Sequence, residues 1–274
     1  MAIKFVDRVP TRPGRIKITP EDGSAVWYGV MERADEPSVE GTPINAANLN
    51  AMQQNQGLSE NVSIYVATNG SDTLGDGTSS APFATITRAL VTIPKQLDGH
   101  TATINIGAGT YNETVVINGF GGGGITLTGV AGSNVSITGL RITETKYVYV
   151  SNVKLQLTGT SNTEDVYVGT SNFYCPTEIS MPNPKPRGIF ATIGSMVYIN
   201  QVSVSQKAET AIRSETGSNI IMQVISGSGN ALGLRAVSGG MIQFGTNNMT
   251  ATSNYLTAVG GRIYSGAQTS IPNY

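Results

Sequence analysis

From residue 101 onward, apolar and polar positions alternate in short runs, and the runs themselves recur. Gly194-Ser195-Met196-Val197-Tyr198-Ile199 returns as Gly217-Ser218-Asn219-Ile220-Ile221-Met222, as Gly239-Gly240-Met241-Ile242-Gln243-Phe244 and as Gly260-Gly261-Arg262-Ile263-Tyr264-Ser265. The leading glycines, Gly194, Gly217, Gly239 and Gly260, are almost evenly spaced. The residues before each are alike too: Ile189-Phe190-Ala191, Ile212-Arg213-Ser214, Leu234-Arg235-Ala236 and Leu256-Thr257-Ala258. Weaker copies begin at Gly169 and Glu144, at a slightly longer step. A period in the low twenties, built of short β segments and Gly-rich corners, predicts a solenoid. No helical pattern fills the period, which argues against leucine-rich repeats. Each coil then contributes two or three short strands, paired in parallel with the coils above and below. Val197, Ile220, Ile242 and Ile263 should stack in one interior column. Residues 101–274 make about seven coils at this period, a shaft on the order of 35 Å at one strand spacing per coil. The competing reading, a β-sandwich with accidental strand similarity, does not explain four ordered repeats with regular steps.

Residues 61–100 have a different texture. Ile64-Tyr65-Val66-Ala67 reads as a strand, and Asn69-Gly70-Ser71-Asp72 with Gly75-Asp76-Gly77 as loop. Phe83, Ile86, Leu90 and Ile93 then fall at helical spacing. The open end of a solenoid exposes apolar core and unpaired backbone, so a helix here has the job of a cap.

Residues 1–60 form a third zone, with 14 of the chain's 35 charged residues, its only Trp and five of its prolines. Arg15 to Thr19 and Val26 to Val30 alternate as short strands. Thr42-Pro43 matches a helix start, with Thr as N-cap and Pro in the first helical position. A helix from about Pro43 to Gln56 is marginal alone and calls for a partner or symmetry mates. The domain reading is therefore an arm with a short helix over 1–60, a strand and capping helix over 61–100, and the solenoid over 101–274. The fold class is all-β, a right-handed parallel β-helix with an N-terminal capping helix and an extended N-terminal arm.

Composition narrows the chemistry. Only 13% of residues are charged, about half the usual fraction. Net charge is −1, with no basic block of the kind that binds nucleic acid. No apolar run reaches the roughly 18 residues of a membrane span, and the first residues lack the apolar core of a signal peptide. The expectation is synthesis in the cytoplasm without the general secretory route. Cys175 is the single cysteine, read as a small buried hydrophobe, and His100 the single histidine, read as part of a turn.

Enzymes built on β-helices need clustered carboxylates, as facing acid and base pairs or as Ca²⁺ ligands beside a basic residue. This chain has no Asp after Asp165, and beyond it only Glu178, Glu209 and Glu215. Glu164 and Asp165 are neighbours and would point to opposite faces of a strand. Asp72 and Asp76 are read as turn residues that bond their own backbone. Arg213 and Arg235 occupy equivalent repeat positions and should stack one coil apart on the outer face, where they are candidate contacts for an acidic surface glycan. The glycines from Gly121 to Gly124 lack a following Lys-Ser/Thr and are not a phosphate loop. No catalytic residue, metal site or cofactor is expected.

The run from Ile64 to Asp72, then Gly77-Thr78-Ser79-Ser80-Ala81-Pro82-Phe83, resembles the opening segment of pectin-lyase-like right-handed β-helix proteins. Ile104-Asn105-Ile106-Gly107-Ala108-Gly109-Thr110-Tyr111 resembles their first full coil. This likeness implies a fold and leaves function open, because that fold hosts lyases, hydrolases, adhesins and phage spikes. The runs Val6 to Arg15 and Arg33 to Asn45 resemble the start of tail-fibre and baseplate-associated proteins of phages, prophages and phage-tail-like bacteriocins of Gram-positive bacteria. The resemblance implies a homotrimer in a virion or tail-like particle, attached to tail or baseplate proteins by its arm and touching the bacterial surface. Arg8, Pro10, Arg12, Pro13, Arg15, Trp27, Arg33 and Asp35 are the candidate attachment residues. A polysaccharide-degrading tailspike, and a purely structural component without a receptor, are the alternatives.

Overall fold

The computed structural model describes the backbone of Arg15–Ile18 and Trp27–Val30, and residues 57–266 apart from 131 and 161. The chain divides into two compact units, Met1–Asn55 and Gln56–Tyr274. In the first, β1 (Arg15–Ile18) and β2 (Trp27–Val30) pair antiparallel, with Arg15 opposite Val30 and Ile18 opposite Trp27. These are the two short strands that the alternation predicts. The expected helix at 43–56, and Arg8, Pro10, Arg12, Pro13, Arg33 and Asp35, lie outside the described residues.

The second unit is a parallel β-helix. β3 (Val62–Val66) pairs in parallel with β4 (Thr101–Ile106), and each later strand pairs with its counterpart one coil on. The ladders make three faces. On the first, Val62, Ala102, Ile125, Val148, Phe173, Val197, Ile220, Ile242 and Ile263 stand in one register column. From Ala102 to Ile263 the column takes seven steps, one for each coil. All of the column but its two end members, Val62 and Ile263, is buried. The second face carries a buried column through Leu155, Ile179, Val202 and Ile225. The third carries Val115, Leu140, Val166, Ile189, Ile212 and Leu234, also buried. A one-residue slip would turn every such side chain outward, so burial fixes the register.

The recurring glycines have a backbone reason. Ile193-Gly194, Thr216-Gly217, Ser238-Gly239 and Val259-Gly260 are consecutive pairs in the left-handed region, with φ between 49° and 77°. The second position of each pair is glycine, for which that conformation carries no Cβ penalty. The corner N–H groups keep the stack bonded: Gly194 donates to the Thr216 carbonyl at 2.9 Å and Gly217 to that of Ser238 at 3.2 Å.

One residue further on, a ladder of hydroxyls serves N–H groups that find no carbonyl. Phe120 N donates to Thr145 Oγ1 at 3.3 Å, Thr145 N to Ser171 Oγ at 3.1 Å, Ser171 N to Ser195 Oγ at 3.4 Å and Ser195 N to Ser218 Oγ at 3.0 Å. All four hydroxyl residues are buried. A buried amide left without an acceptor is costly, which explains polar side chains inside an apolar stack.

α1 (Ile86–Thr92) is shorter than the apolar spacing predicts. Phe83 is drawn instead into a parallel bridge with Val66. Ile86, Ala89 and Leu90 are buried, and the helix packs on β3, β4 and the strand Gly109–Asn118. Two carboxylates fix its start. Glu113 accepts from Ile86 N at 2.7 Å and Thr87 N at 2.8 Å; Asp72 accepts from Ala84 N at 2.8 Å and Thr85 N at 3.0 Å. The outer edge of β3 is also bonded, Tyr65 N to Gly77 O at 2.8 Å and Ala67 N to Phe83 O at 2.9 Å. At the other end, Ala251–Ala258 and Arg262–Ser265 pair only with the preceding coil among the described residues.

Two sites test this packing. Ile220→Ala should cost about 2–5 kcal/mol by opening a void in the column, whereas Ile263→Ala on the partly exposed last coil should cost distinctly less. Ser195→Ala removes the acceptor for a buried amide and should cost about 1–3 kcal/mol. Urea unfolding followed by circular dichroism reads all three.

Candidate functional site: an Arg–aromatic outer face and a buried charged cluster

Alternation places one column of the third face outward: Val116, Arg141, Tyr167, Phe190, Arg213, Arg235 and Leu256 are successive register partners. Arg213 and Arg235 therefore stand one coil apart on the outer face, as their repeat positions require. They are not equivalent in what they touch. Arg213 Cζ lies 4.9 Å from the Phe190 ring centre, and its Nε donates to Glu215 Oε2 at 3.0 Å. Arg235 makes no ion pair among the described residues, and its buried Nε has no hydrogen-bond partner. Of the two candidate glycan contacts, only Arg235 is left without a carboxylate among the described residues.

The remaining groups on this face hold one another. Arg141 lies 4.4 Å from the Tyr167 ring and 3.6 Å from Glu164. Arg187 reaches Glu164 at 3.2 Å and Glu209 at 3.4 Å, and its Cζ is 5.0 Å from the Phe190 ring. Tyr167 and Phe190 meet edge to face, 5.6 Å apart. Glu209 and Glu215 are thus surface charges paired with arginine. On the first face, Tyr149, Tyr174 and Tyr198 stack at centroid distances of 5.9 and 6.3 Å.

A second site lies inside. Asp165 points into the solenoid while Glu164 points out, as adjacent strand residues must. Lys185 Nζ is 3.1 Å from Asp165 Oδ1 and Lys207 Nζ is 2.8 Å from Oδ2, and all three side chains are fully buried. The approaches have ion-pair distances but are not aligned as hydrogen bonds. Lys185 Nζ also donates to the carbonyls of Thr138 at 3.3 Å and Glu164 at 3.4 Å, and Lys207 Nζ to that of Asn183. Burial pushes the Asp165 carboxyl up and the Lys207 ammonium down, each against the attraction of the other. Sequence reasoning passed over both lysines. The signal was present, because Lys185 and Lys207 are register partners in successive coils, at the same repeat position.

The sequence expectation for the turn carboxylates holds for Asp76 and not for Asp72, which reaches past its own turn to Ala84 N, Thr85 N and Thr85 Oγ1 at the start of α1. Asp76 Oδ1 accepts from Thr78 N at 2.9 Å and Thr78 Oγ1 at 2.8 Å, bonds that lower its carboxyl. No group of three His, Cys, Asp or Glu side chains suited to a metal ion occurs among the described residues. A shallow groove of about 580 Å³ runs over three successive coils, lined by Gln206, Gly229, Asn230, Thr250 and Thr252 among others. Its lining contains no carboxylate and no imidazole; its one ionisable residue, Lys207, sends its ammonium inward. Among the described residues, no helix is long and apolar enough to cross a membrane.

Comparison of the chain with protein-family models, with curated proteins and with solved structures found no match.

Cys175 occupies an interior position in register with Ile199, and burial pushes its thiol up to about 11. At about pH 8, close to the ordinary thiol pKa, native protein should not react with a thiol reagent, and denatured protein should react fully. Rapid labelling of the native form would mean that the solenoid opens.

Proposed function

We propose that this chain is a structural and attachment protein of a phage tail or tail-like particle. In this reading it is a trimeric fibre or spike whose arm over residues 1–60 joins the tail or baseplate. Its β-helix projects toward the bacterial surface. The arm's likeness to tail-fibre and baseplate-associated proteins supplies the particle. The disposition of carboxylates is the observation that carries the non-catalytic part. Residues 101–266 hold seven. Glu113 holds α1, Glu164, Glu209 and Glu215 pair with arginine, and Asp165 lies in the core. Glu144 sits at a left-handed corner and Glu178 on the second face. No two of them stand free and opposed across a cleft, which is what glycoside hydrolysis uses.

A surface rich in hydroxyls, amides and tyrosines suits weak contact with glycans, multiplied by avidity in a trimer. Arg235 is the cation best placed for an acidic sugar. The arm differs in texture, with a larger share of charged residues than the solenoid, Trp27 and five prolines, which lower the entropy lost on docking. A segment that wraps a partner borrows the core it lacks.

The test is deletion of residues 1–60. The truncated chain should keep its β circular dichroism and lose incorporation into the particle; normal assembly of the truncated chain overturns the assignment of ends. The full chain should release no reducing ends or unsaturated sugars from bacterial polysaccharide. Turnover that disappears in Glu209→Gln or Glu215→Gln would establish the tailspike alternative. A stable monomer at micromolar concentration would remove the trimer.

A further inference from the structure

The interior cluster has a composition that packing alone does not ask for. Two ammonium groups share one carboxylate with no water-facing side. Removing charge from water is expensive, and a single carboxylate leaves one positive charge uncompensated. The two lysines are placed differently. Lys185 Nζ has two backbone carbonyls as well as Asp165 Oδ1. Lys207 Nζ has one carbonyl and the closer approach to the carboxylate, at Oδ2.

We propose that Asp165 and Lys207 condense to an intramolecular amide, a covalent bond joining two coils across the coil that lies between them. The new bond is Lys207 Nζ–Asp165 Cγ, and the bond broken is Cγ–Oδ2. Oδ2 leaves as water with two of the three protons of the Lys207 ammonium, and the third stays on the amide nitrogen. Charge balances, since one carboxylate and one ammonium give a neutral amide and water. No oxidant or other co-reactant is needed.

Each neighbour has a part. Proton transfer from Lys207 to Asp165 gives the neutral amine and acid that the step requires, and burial moves both groups in that direction. Nζ already touches an oxygen bonded to Cγ, so its approach to the carbon is a side-chain rotation within a closed site, the condition under which proximity is most effective. Lys185 lies against Oδ1, the oxygen that becomes negative in the tetrahedral intermediate and then the amide oxygen. A fixed cation aimed at developing charge in a dry site is a strong form of stabilisation. The product removes one positive and one negative charge from the core and leaves Lys185 bonded to two carbonyls and in contact with the amide oxygen.

The inference is independent of the particle reading and is tested on the full chain. Intact-mass measurement should find the folded protein lighter than its sequence by one water. Tryptic mapping should find one branched peptide pair linked through Asp165 and Lys207. Asp165→Ala and Lys207→Met should each restore the full mass, and Lys185→Met should reduce the condensed fraction at matched times at least tenfold. Full sequence mass in folded wild-type protein after prolonged incubation overturns the proposal, as does a water deficit that maps elsewhere. Those two outcomes need no variant, so a variant that fails to fold leaves the answer intact. An unchanged condensed fraction in Lys185→Met overturns the part given to Lys185.

Discussion

The structure depends on one constraint: the backbone of each coil must find its hydrogen-bond partners in the next coil, face after face, without losing register. Parallel pairing satisfies the strands, but the corners interrupt it, and there the chain uses two devices. Paired left-handed residues turn the backbone so that corner N–H groups still reach the following coil. Thr145, Ser171, Ser195 and Ser218 then act as side-chain acceptors where a carbonyl is out of reach. With the backbone thus committed, side-chain direction follows, and aliphatic columns inside and an Arg–aromatic column outside are two consequences of the same alternation.

Electrostatics is sorted by depth. Outside, charges are few and mutually held, Arg141, Arg187 and Arg213 each bridging an aromatic ring and a carboxylate. Of these pairs only Arg141–Glu164 and Arg187–Glu209 have an exposed member, a kind that contributes little to stability singly; together the pairs order the face and leave Arg235 as its cation without a carboxylate among the described residues. Inside, the same interaction is expensive, and the Asp165–Lys185–Lys207 cluster is where, among the described residues, the apolar stack accepts charge. Removing one partner from such a group typically costs about 3–5 kcal/mol.

How far the sequence could be read follows from where periodicity is visible. The interior column through Val197, Ile220, Ile242 and Ile263 was legible because glycine corners mark the coil length and apolar residues fill a constant offset. The same offset put Arg213 over Arg235 and turned Glu164 away from Asp165. α1 was harder, since Phe83 has helical spacing to Ile86 but is pulled into a bridge with Val66 by backbone pairing that spacing does not encode. The cluster of Asp165, Lys185 and Lys207 was missed for a physical reason: lysine and aspartate are exposed by default, so a charged residue at an interior offset reads as an irregularity in the repeat. Arg213 was legible in place but not in engagement, because its hold on Phe190 and Glu215 depends on rotamers that a repeat does not specify.

The two ends of the β-helix are unlike. The first strand has its free edge bonded by Gly77 and Phe83 and lies beside α1, while the strands of the last described coil pair on one side only. A chain leaves the ribosome amino end first. The residues of the capped edge therefore emerge first, and the cap is completed when the first coil brings Glu113 to the start of α1. Among the described residues only the later end offers an unpaired strand edge, so a further strand would be received there and not at the capped end.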